Sequence, residues 1–136
     1  MKVDTGIDID VAAEVYNPSD DSYLLVNVLE VSPGERLRDM GTGTGVAALH
    51  AAKAGARVTA VDLNPHAVTC ARLNALRNDL KVEVLQSDLF EKVEGVYDVI
   101  TFNPPYLPEE GGPSSWMERS WSGGADGSEV VVRFLE

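Results

Sequence analysis

A strand, a glycine turn and a helix follow one another in residues 36–54, which begin Arg36-Leu37-Arg38-Asp39-Met40-Gly41-Thr42-Gly43-Thr44-Gly45. The pattern predicts a strand over residues 36–40, a turn over residues 41–45, and a helix that runs through His50 to Ala54. Gly55 ends that helix. Glycines in such a turn let a ligand approach the backbone closely, and the helix that follows points N–H groups at its polar atoms.

The alternation of strands and helices continues along the chain. Strands are predicted at Arg57–Val61, Val82–Leu85 and Asp98–Phe102. A helix is predicted from a start at Ser19-Asp20-Asp21 to an end near Ser32-Pro33-Gly34, another from an Asn64 N-cap with Pro65 at N1, and a third from Ser128 to Glu136. Residues 107–127, with Trp116 and Trp121, are expected to form a loop over the site. Alternating elements favour an α/β fold of Rossmann-like type, with a mainly parallel sheet and right-handed crossovers.

Composition limits the function classes. A chain of 136 residues fits one domain, residues 1–136. Eleven Lys and Arg against 22 Asp and Glu give a net charge of −11, which argues against a nucleic-acid partner. Cys70 is the one cysteine, and no His or Cys cluster has metal-ligand spacing, so we expect no metal. With no secretory signal and no long apolar run, the sequence predicts a cytoplasmic protein away from membranes.

The glycine spacing separates possible ligands. Gly41, Gly43 and Gly45 form a G-x-G-x-G pattern, and Val46 stands where a dinucleotide fingerprint has its third glycine. NAD is therefore disfavoured. Asp62 ends the second strand 21 positions after Gly41, where a carboxylate can accept hydrogen bonds from two ribose hydroxyls. A turn residue without a ligand is the alternative interpretation.

Two further acids follow the same logic. Asp88, after the third strand, can accept from an adenine amino group, with Leu89 and Phe90 offering apolar surface beside the base; an N-cap or Asx-turn is the alternative. Asp39 can hold either the ammonium of a cofactor or only local backbone. One ribose, an adenine, an amino-acid tail and no phosphate together describe S-adenosylmethionine, bound at the carboxyl ends of the strands.

The fourth strand ends in Asn103-Pro104-Pro105-Tyr106. The Asn103 side-chain oxygen and the Pro104 carbonyl can accept both hydrogens of a planar NH2 group and leave its lone pair facing an electrophile. The two prolines restrict the backbone, and Tyr106 offers a flat apolar face. A Pro-rich turn after a strand is the structural alternative. The motif predicts a methyl acceptor of the amide or exocyclic amine type.

The sequence resembles the HemK-type protein-(glutamine-N5) methyltransferases, particularly their short archaeal and eukaryotic branch. The motifs that carry the resemblance are Tyr16-Asn17-Pro18-Ser19-Asp20-Asp21-Ser22, Asp39-Met40-Gly41-Thr42-Gly43-Thr44-Gly45, Asp62-Leu63-Asn64-Pro65, Asp88-Leu89-Phe90, Phe102-Asn103-Pro104-Pro105-Tyr106-Leu107-Pro108 and Gly123-Gly124-Ala125-Asp126-Gly127.

The resemblance implies a class I S-adenosylmethionine-dependent methyltransferase fold and methylation of the Gln amide in the Gly-Gly-Gln motif of a peptide-chain release factor. It also implies cofactor contacts, by Ser22, Asp39, Gly41, Asp62, Asp88 and Leu89, and Gln contacts by Asn103 to Tyr106. The resemblance to this branch also implies a small zinc-binding activator subunit as a partner. Family members continue through a fifth strand and a hairpin, so we expect this chain to be truncated at its C-terminus.

Two other functions fit parts of the pattern. An N6-adenine DNA or RNA methyltransferase presents the same amino-group geometry to Asn103 and Pro104, although the charge of −11 opposes it. A truncated, non-catalytic binding module that uses the Trp116 and Trp121 loop is the third possibility.

Arg38 departs from the family, which usually has an aliphatic residue at this position of the first strand. We therefore expect the Arg38 guanidinium to reach an acid or the strand end.

Overall fold

A computed structural model describes residues 1–13, 15, 20–88 and 96–102 of the chain. Within these ranges the chain forms helices α1 (Asp20–Val28), α2 (Val46–Lys53) and α3 (Pro65–Arg77), and strands β1 (Arg36–Met40), β2 (Arg57–Asp62), β3 (Val82–Gln86) and β4 (Val99–Phe102). The predicted loop at residues 107–127 and the predicted helix at residues 128–136 lie outside the described residues.

The described strands form a parallel sheet in the order β3-β2-β1-β4. The chain moves from β1 outward to β3 and then crosses back to β4 on the other side of β1. The strand order thus reverses between β1 and β4, and in open α/β sheets ligands bind outside the carboxyl ends of the strands at such a switch point. The prediction of a parallel α/β sheet is confirmed.

The main core lies between one face of the sheet and helices α2 and α3. Alternate strand residues point to this face, and the small side chains of both helices let their backbones approach the sheet closely. The core contains Leu29, Leu37, Ala48, Ala51, Ala56, Val58, Ala60, Val68, Ala71 and Val84.

The opposite face of the sheet holds a second cluster, formed by buried Met40 and Val61 with Tyr97 and Phe102 packed against them. Arg38 also lies on this face and is buried. Its guanidinium carbon is 4.2 Å from the centre of the Tyr97 ring. The aromatic ring attracts the cation through its quadrupole. The expectation that Arg38 reaches an acid or the strand end stays a prediction.

Most predicted element boundaries lie within one residue of the observed ones. Helix α3 begins as predicted, since the Asn64 side chain accepts a hydrogen bond from the His66 N–H and Pro65 occupies the first turn. Helix α1 was predicted to reach the Ser32 region but ends at Val28. The Met1 ammonium donates to the Leu29 carbonyl at 2.6 Å, which satisfies a group that a longer helix would have used.

The N-terminal residues lie across α2 and α3. The N–H of Asp4 donates to His50 Nε2 at 2.9 Å, and that of Asp10 donates to Asn74 Oδ1 at 2.9 Å. Asn74 is almost fully buried, and its Nδ2 also donates to the Thr44 carbonyl at 2.9 Å. One amide therefore ties the N-terminal segment, α3 and the glycine turn together.

In the described ranges no helix has both the length and the apolar character needed to cross a membrane. The same part of the chain contains no group of three or more His, Cys, Asp or Glu side chains arranged to hold a metal ion.

Candidate functional site

The carboxyl edge of the sheet carries the three predicted acidic residues of the site. Asp39 lies next to last in β1, Asp62 ends β2, and Asp88 follows β3 by two residues. Because β1 pairs in register with both β2 and β4 at this edge, residues after these strands emerge side by side.

The turn between β1 and α2 has the backbone conformation that its glycines were predicted to supply. The φ angles of Gly41, Gly43 and Gly45 are 66°, 57° and 88°, a region that other residues enter at a cost of about 1–2 kcal/mol. The Thr42 N–H donates to the Val61 carbonyl at 3.0 Å, which ties the turn to β2.

The three glycines differ in what surrounds them. A Cβ at Gly45 would lie 3.2 Å from the Cβ of Ala71, so the third glycine allows α3 to pack closely. A Cβ at Gly41 would lie 3.7 Å from the Phe102 ring, whereas at Gly43 it would meet no atom of the described residues within 4 Å. The space beside Gly43 therefore lets a ligand reach the backbone, which is the feature that a nucleoside cofactor requires.

Asp39 is buried behind the turn, with 4% of its surface exposed. Its Oδ2 accepts from the Thr42 hydroxyl and its Oδ1 from the Thr101 hydroxyl, both at 2.7 Å. Burial raises the pKa of Asp39 from 3.8 to about 6; the two hydroxyls and the Ala48 N–H act against this rise, while the nearby Asp62 carboxylate adds to it. The described contacts of Asp39 are local and include side-chain hydroxyls as well as backbone; the predicted contact with a cofactor ammonium stays a prediction.

Asp62 holds the turn from the side of β2. Its Oδ2 accepts from the Gly43 N–H at 2.8 Å and its Oδ1 from the Asn64 N–H at 2.9 Å. Burial raises its pKa, and these backbone hydrogen bonds partly oppose the rise. Each carboxylate oxygen can accept a second hydrogen bond, so the predicted contact with ribose hydroxyls is compatible with this geometry.

The charge of the site selects its ligands. Asp39 and Asp62 flank the glycine turn from neighbouring strands, and Asp39 feels the charge of Asp62. Two carboxylates at a helix N-terminus repel a phosphate group, which is the usual ligand of glycine turns. A cationic ligand with free hydroxyls suits this arrangement better.

The remaining predicted residues are less well defined by the structure. Asp88 is half-buried and follows Ser87, whose N–H donates to the Asp62 carbonyl at 3.0 Å. Ser22 is buried in α1, which packs against α2. Leu89, Phe90 and the segment Asn103, Pro104, Pro105 and Tyr106 lie outside the described residues. The described part of β4 ends one residue earlier, at Phe102, which pairs with Met40.

Sequence reasoning missed two residues of this site, Thr42 and Thr101. Both are buried, and both donate to the Asp39 carboxylate. A signal was available, because Thr101 is a polar residue near the end of an otherwise apolar strand and Asp39 has the matching position in β1. Pairing the two required the strand register, which places them opposite each other.

The family model described as "Methyltransferase small domain" matches residues 17–116. This match covers more than half of the chain, and the chain therefore belongs to the methyltransferase small domain family. Its fold is the Rossmann-like fold of class I S-adenosylmethionine-dependent methyltransferases, as the sequence predicted.

Three curated relatives show which methyltransferases this chain resembles. A Methanocaldococcus jannaschii protein, provisionally named a protein N5-glutamine methyltransferase, is 41% identical over 96% of this chain and 68% of its own length. Methyltransferase HEMK2 of Mus musculus is 35% identical over 90% of this chain and 64% of its own. The release factor glutamine methyltransferase of Agrobacterium fabrum is 34% identical over 75% of this chain and 39% of its own length. The HemK-type resemblance is confirmed, and the chain spans about two thirds of the first two relatives.

Two solved structures support the fold. A methyltransferase from Pyrococcus furiosus superimposes with a TM-score of 0.64 at 30% identity, covering 75% of this chain and 54% of the other. The T. thermophilus 16S rRNA N2 G1207 methyltransferase, solved with AdoMet and guanosine, gives a TM-score of 0.55 at 31% identity. The match covers 56% of this chain and 21% of the other.

Proposed function

We propose that this protein transfers a methyl group from S-adenosylmethionine to the side-chain amide nitrogen of Gln, in the Gly-Gly-Gln motif of a peptide-chain release factor. The names of the relatives from M. jannaschii and A. fabrum support the amide acceptor and the release factor, respectively. We treat residues 1–136 as belonging to one methyltransferase domain, and we assign the reaction to the cytoplasm, where a release factor acts.

The described site fits the cofactor. Gly43 leaves room for a ligand at the turn, and Asp62 stands at the end of the neighbouring strand with lone pairs for ribose hydroxyls. Asp88 follows β3 at the edge where an adenine would lie. The bound cofactor supplies a methyl group on a sulfonium centre, and the two carboxylates beside the turn favour that positive charge over a phosphate. Ser22 and Leu89 complete the proposed contacts.

The observation that carries the proposal is the register of β4 against β1. Phe102 pairs with Met40, and its ring lies within 3.7 Å of a Cβ placed on Gly41. Asn103 is the next residue after Phe102 in the chain. We therefore propose that Asn103 and Pro104 accept the two hydrogens of the Gln amide beside the glycine turn.

The chemical role of this segment is positioning. An amide nitrogen is a poor nucleophile because its lone pair is delocalised into the carbonyl group. Two fixed acceptors orient the nitrogen, Pro105 limits the freedom of the segment, and Tyr106 excludes water from one side of the planar group. The amide nitrogen would gain the methyl group and lose one proton, and S-adenosylhomocysteine would leave. Holding the amide in line with the methyl group can supply much of the rate, so no acid–base residue need be dominant.

The first test separates substrate positioning from cofactor binding. We expect Asn103→Ala to abolish transfer of a labelled methyl group to a release factor while leaving the affinity for S-adenosylhomocysteine near wild type in calorimetry. Asn27→Ala, at an exposed position of α1, is the matched control and should change neither quantity. Full turnover by Asn103→Ala would remove the proposed role of this residue.

The second test addresses the ribose contact. Asp62→Ala should weaken S-adenosylhomocysteine binding by about tenfold or more, because hydrogen bonds to a carboxylate contribute about 1.5–3 kcal/mol. Asp8→Ala removes an exposed carboxylate of the N-terminal segment and serves as its control. An unchanged affinity in Asp62→Ala would reject the ribose role.

The substrate itself is tested by competition. A release factor, the same factor with Gln of Gly-Gly-Gln changed to Glu, and an adenine-containing oligonucleotide are offered in parallel with labelled cofactor. We expect label in the unmodified factor alone. Label in the oligonucleotide would favour an adenine methyltransferase, against the net charge of −11. A chain that binds no cofactor would instead be a binding module.

We further propose that a small zinc-binding activator subunit associates with this chain, as the resemblance to the archaeal and eukaryotic branch implies. Size-exclusion chromatography of the chain with and without such a subunit, followed by the methyl-transfer assay, tests this point. We expect a co-eluting complex with higher activity than the chain alone, and separate elution with equal activity would contradict it.

A further inference from the structure

Thr101, in β4, is connected to the glycine turn through a single buried carboxylate. Its hydroxyl donates to Asp39 Oδ1 at 2.7 Å, and the two residues are opposite each other in the ladder between β1 and β4. Thr101 and Asp39 are each 4% exposed. The other oxygen of Asp39 accepts from the Thr42 hydroxyl of the turn, also at 2.7 Å.

The Thr101 hydroxyl has one proton and two acceptors within reach. The Arg38 carbonyl lies 3.4 Å away, whereas Asp39 Oδ1 lies at 2.7 Å and carries charge. A hydrogen bond to a charged acceptor is shorter and stronger than one to a neutral carbonyl, so the proton goes to Asp39. The contact is a directed bond and not a by-product of packing.

Packing and strand propensity do not require a hydroxyl at this position. Valine has nearly the same shape as threonine and is at least as favourable in a buried parallel strand. A buried carboxylate, in contrast, needs donors for its oxygens, because burying a charge without them is costly. The hydroxyl therefore stabilises the buried Asp39 carboxylate, and through that carboxylate it stabilises the turn.

We propose that Thr101 is a positioning residue, which uses the Asp39 carboxylate to hold the carboxyl end of β4 at a fixed place relative to the cofactor-binding turn. This inference rests on the proposed function, since it concerns the alignment of the acceptor segment after β4 with the cofactor. The carboxylate joins both sides of the switch point, so loss of either hydroxyl loosens the same link.

The test compares Thr101→Val, which removes the hydroxyl and keeps the shape, with Thr101→Ser, which keeps the hydroxyl. Thr59→Val is the matched control, because Thr59 lies half-buried in β2 and its hydroxyl oxygen is 3.5 Å from the Tyr97 hydroxyl, not at Asp39. The 136-residue chain is used throughout. Each variant is measured for S-adenosylhomocysteine affinity, for kcat and KM of methyl transfer, and for its thermal transition.

We expect Thr101→Val to lower cofactor affinity by about tenfold, the scale of one hydrogen bond to a charged group, and to lower kcat as well. Thr101→Ser should stay within about twofold of wild type, as should Thr59→Val. Equal losses in Thr101→Val and Thr101→Ser would show that retaining the hydroxyl does not preserve affinity, and would overturn the inference. Wild-type affinity and kcat in Thr101→Val would overturn it too.

A pH profile of S-adenosylhomocysteine affinity adds a readout that a structural role would not move. The Thr101 hydroxyl lowers the pKa of Asp39, while burial and Asp62 raise it; Asp62 is the charged group among the described residues that acts on Asp39. If the ionised carboxylate holds the turn, affinity falls as pH drops through that pKa. Thr101→Val should shift this fall to higher pH, and an unchanged midpoint would contradict the proposal.

Two features keep the result interpretable. If Thr101→Val shows no cooperative thermal transition, Thr101→Ser and Thr101→Ala provide the same comparison in a smaller side chain. Binding of S-adenosylhomocysteine does not depend on which nitrogen is methylated. A failure to methylate Gln would therefore reject the proposed substrate, while the affinity and pH measurements would still decide the role of Thr101.

Discussion

Asp39→Asn should stabilise the cofactor-free protein at neutral pH while weakening its site. The folded protein raises the pKa of this carboxyl from 3.8 to about 6, first through burial and then through the charge of Asp62. A difference of this size corresponds to about 3 kcal/mol of folding free energy at pH well above 6, since each pKa unit is worth about 1.36 kcal/mol. Asn has the shape of the protonated acid but carries no charge to bury.

The sign of the pH dependence follows from the raised pKa. The folded state binds the proton more tightly than the unfolded state, so the carboxyl imposes no penalty below pH 3.8, and the penalty grows until the pH exceeds about 6. The gain of Asp39→Asn over wild type should therefore be larger at pH 8 than at pH 4, by about 2 kcal/mol. Any pH-independent effect of the amide on its threonine partners is the same at both pH values, so it does not contribute to this difference.

The assay is urea denaturation of the wild type and the variant at both pH values, without cofactor. Asp98→Asn is the control, because Asp98 is exposed just before β4 and accepts from the Arg36 N–H. We expect the control to show no such pH-dependent gain. An Asp39→Asn gain that is equal at pH 4 and pH 8 would refute the account of Asp39 as a charge buried at a cost in stability for the benefit of the site.

Two further predictions concern local structure, and both use urea denaturation. Gly45→Ala and Gly34→Ala form a matched pair with φ angles of 88° and 85°. A Cβ at Gly45 meets Ala71 at 3.2 Å, whereas one at Gly34 meets nothing within 4 Å among the described residues. Each should lose about 1–2 kcal/mol of stability to backbone strain, with about 1 kcal/mol more at Gly45 from crowding, and equal losses would reject the packing role of the third glycine. Asn64→Ala should cost about 1 kcal/mol by removing the N-cap of α3 while Asn64→Ser restores most of it, and a silent Asn64→Ala would show that the cap is dispensable.

The strand-turn-helix unit and the parallel sheet could be predicted because they depend on local rules. A β-strand that ends in alternating glycines needs positive φ angles, and Gly41, Gly43 and Gly45 all have them. Asn64 and Pro65 mark a helix start through their own hydrogen-bonding and ring geometry. The end of α1 was predicted too late because the group that replaces its next turn, the Met1 ammonium, is distant in sequence.

The candidate site also has features that follow from local sequence and features that follow from tertiary contacts. The sequence by itself determined the turn, the Asp62 carboxylate after β2 and the family, since residue type and spacing along the chain suffice for these. Tertiary structure decided that Asp39 accepts from Thr42 and Thr101, and that Arg38 lies over the Tyr97 ring. Thr42 is a local partner in the turn, but Thr101 and Tyr97 are distant in sequence from Asp39 and Arg38. The register of β4 against β1, which depends on packing of the whole sheet, brings Thr101 opposite Asp39.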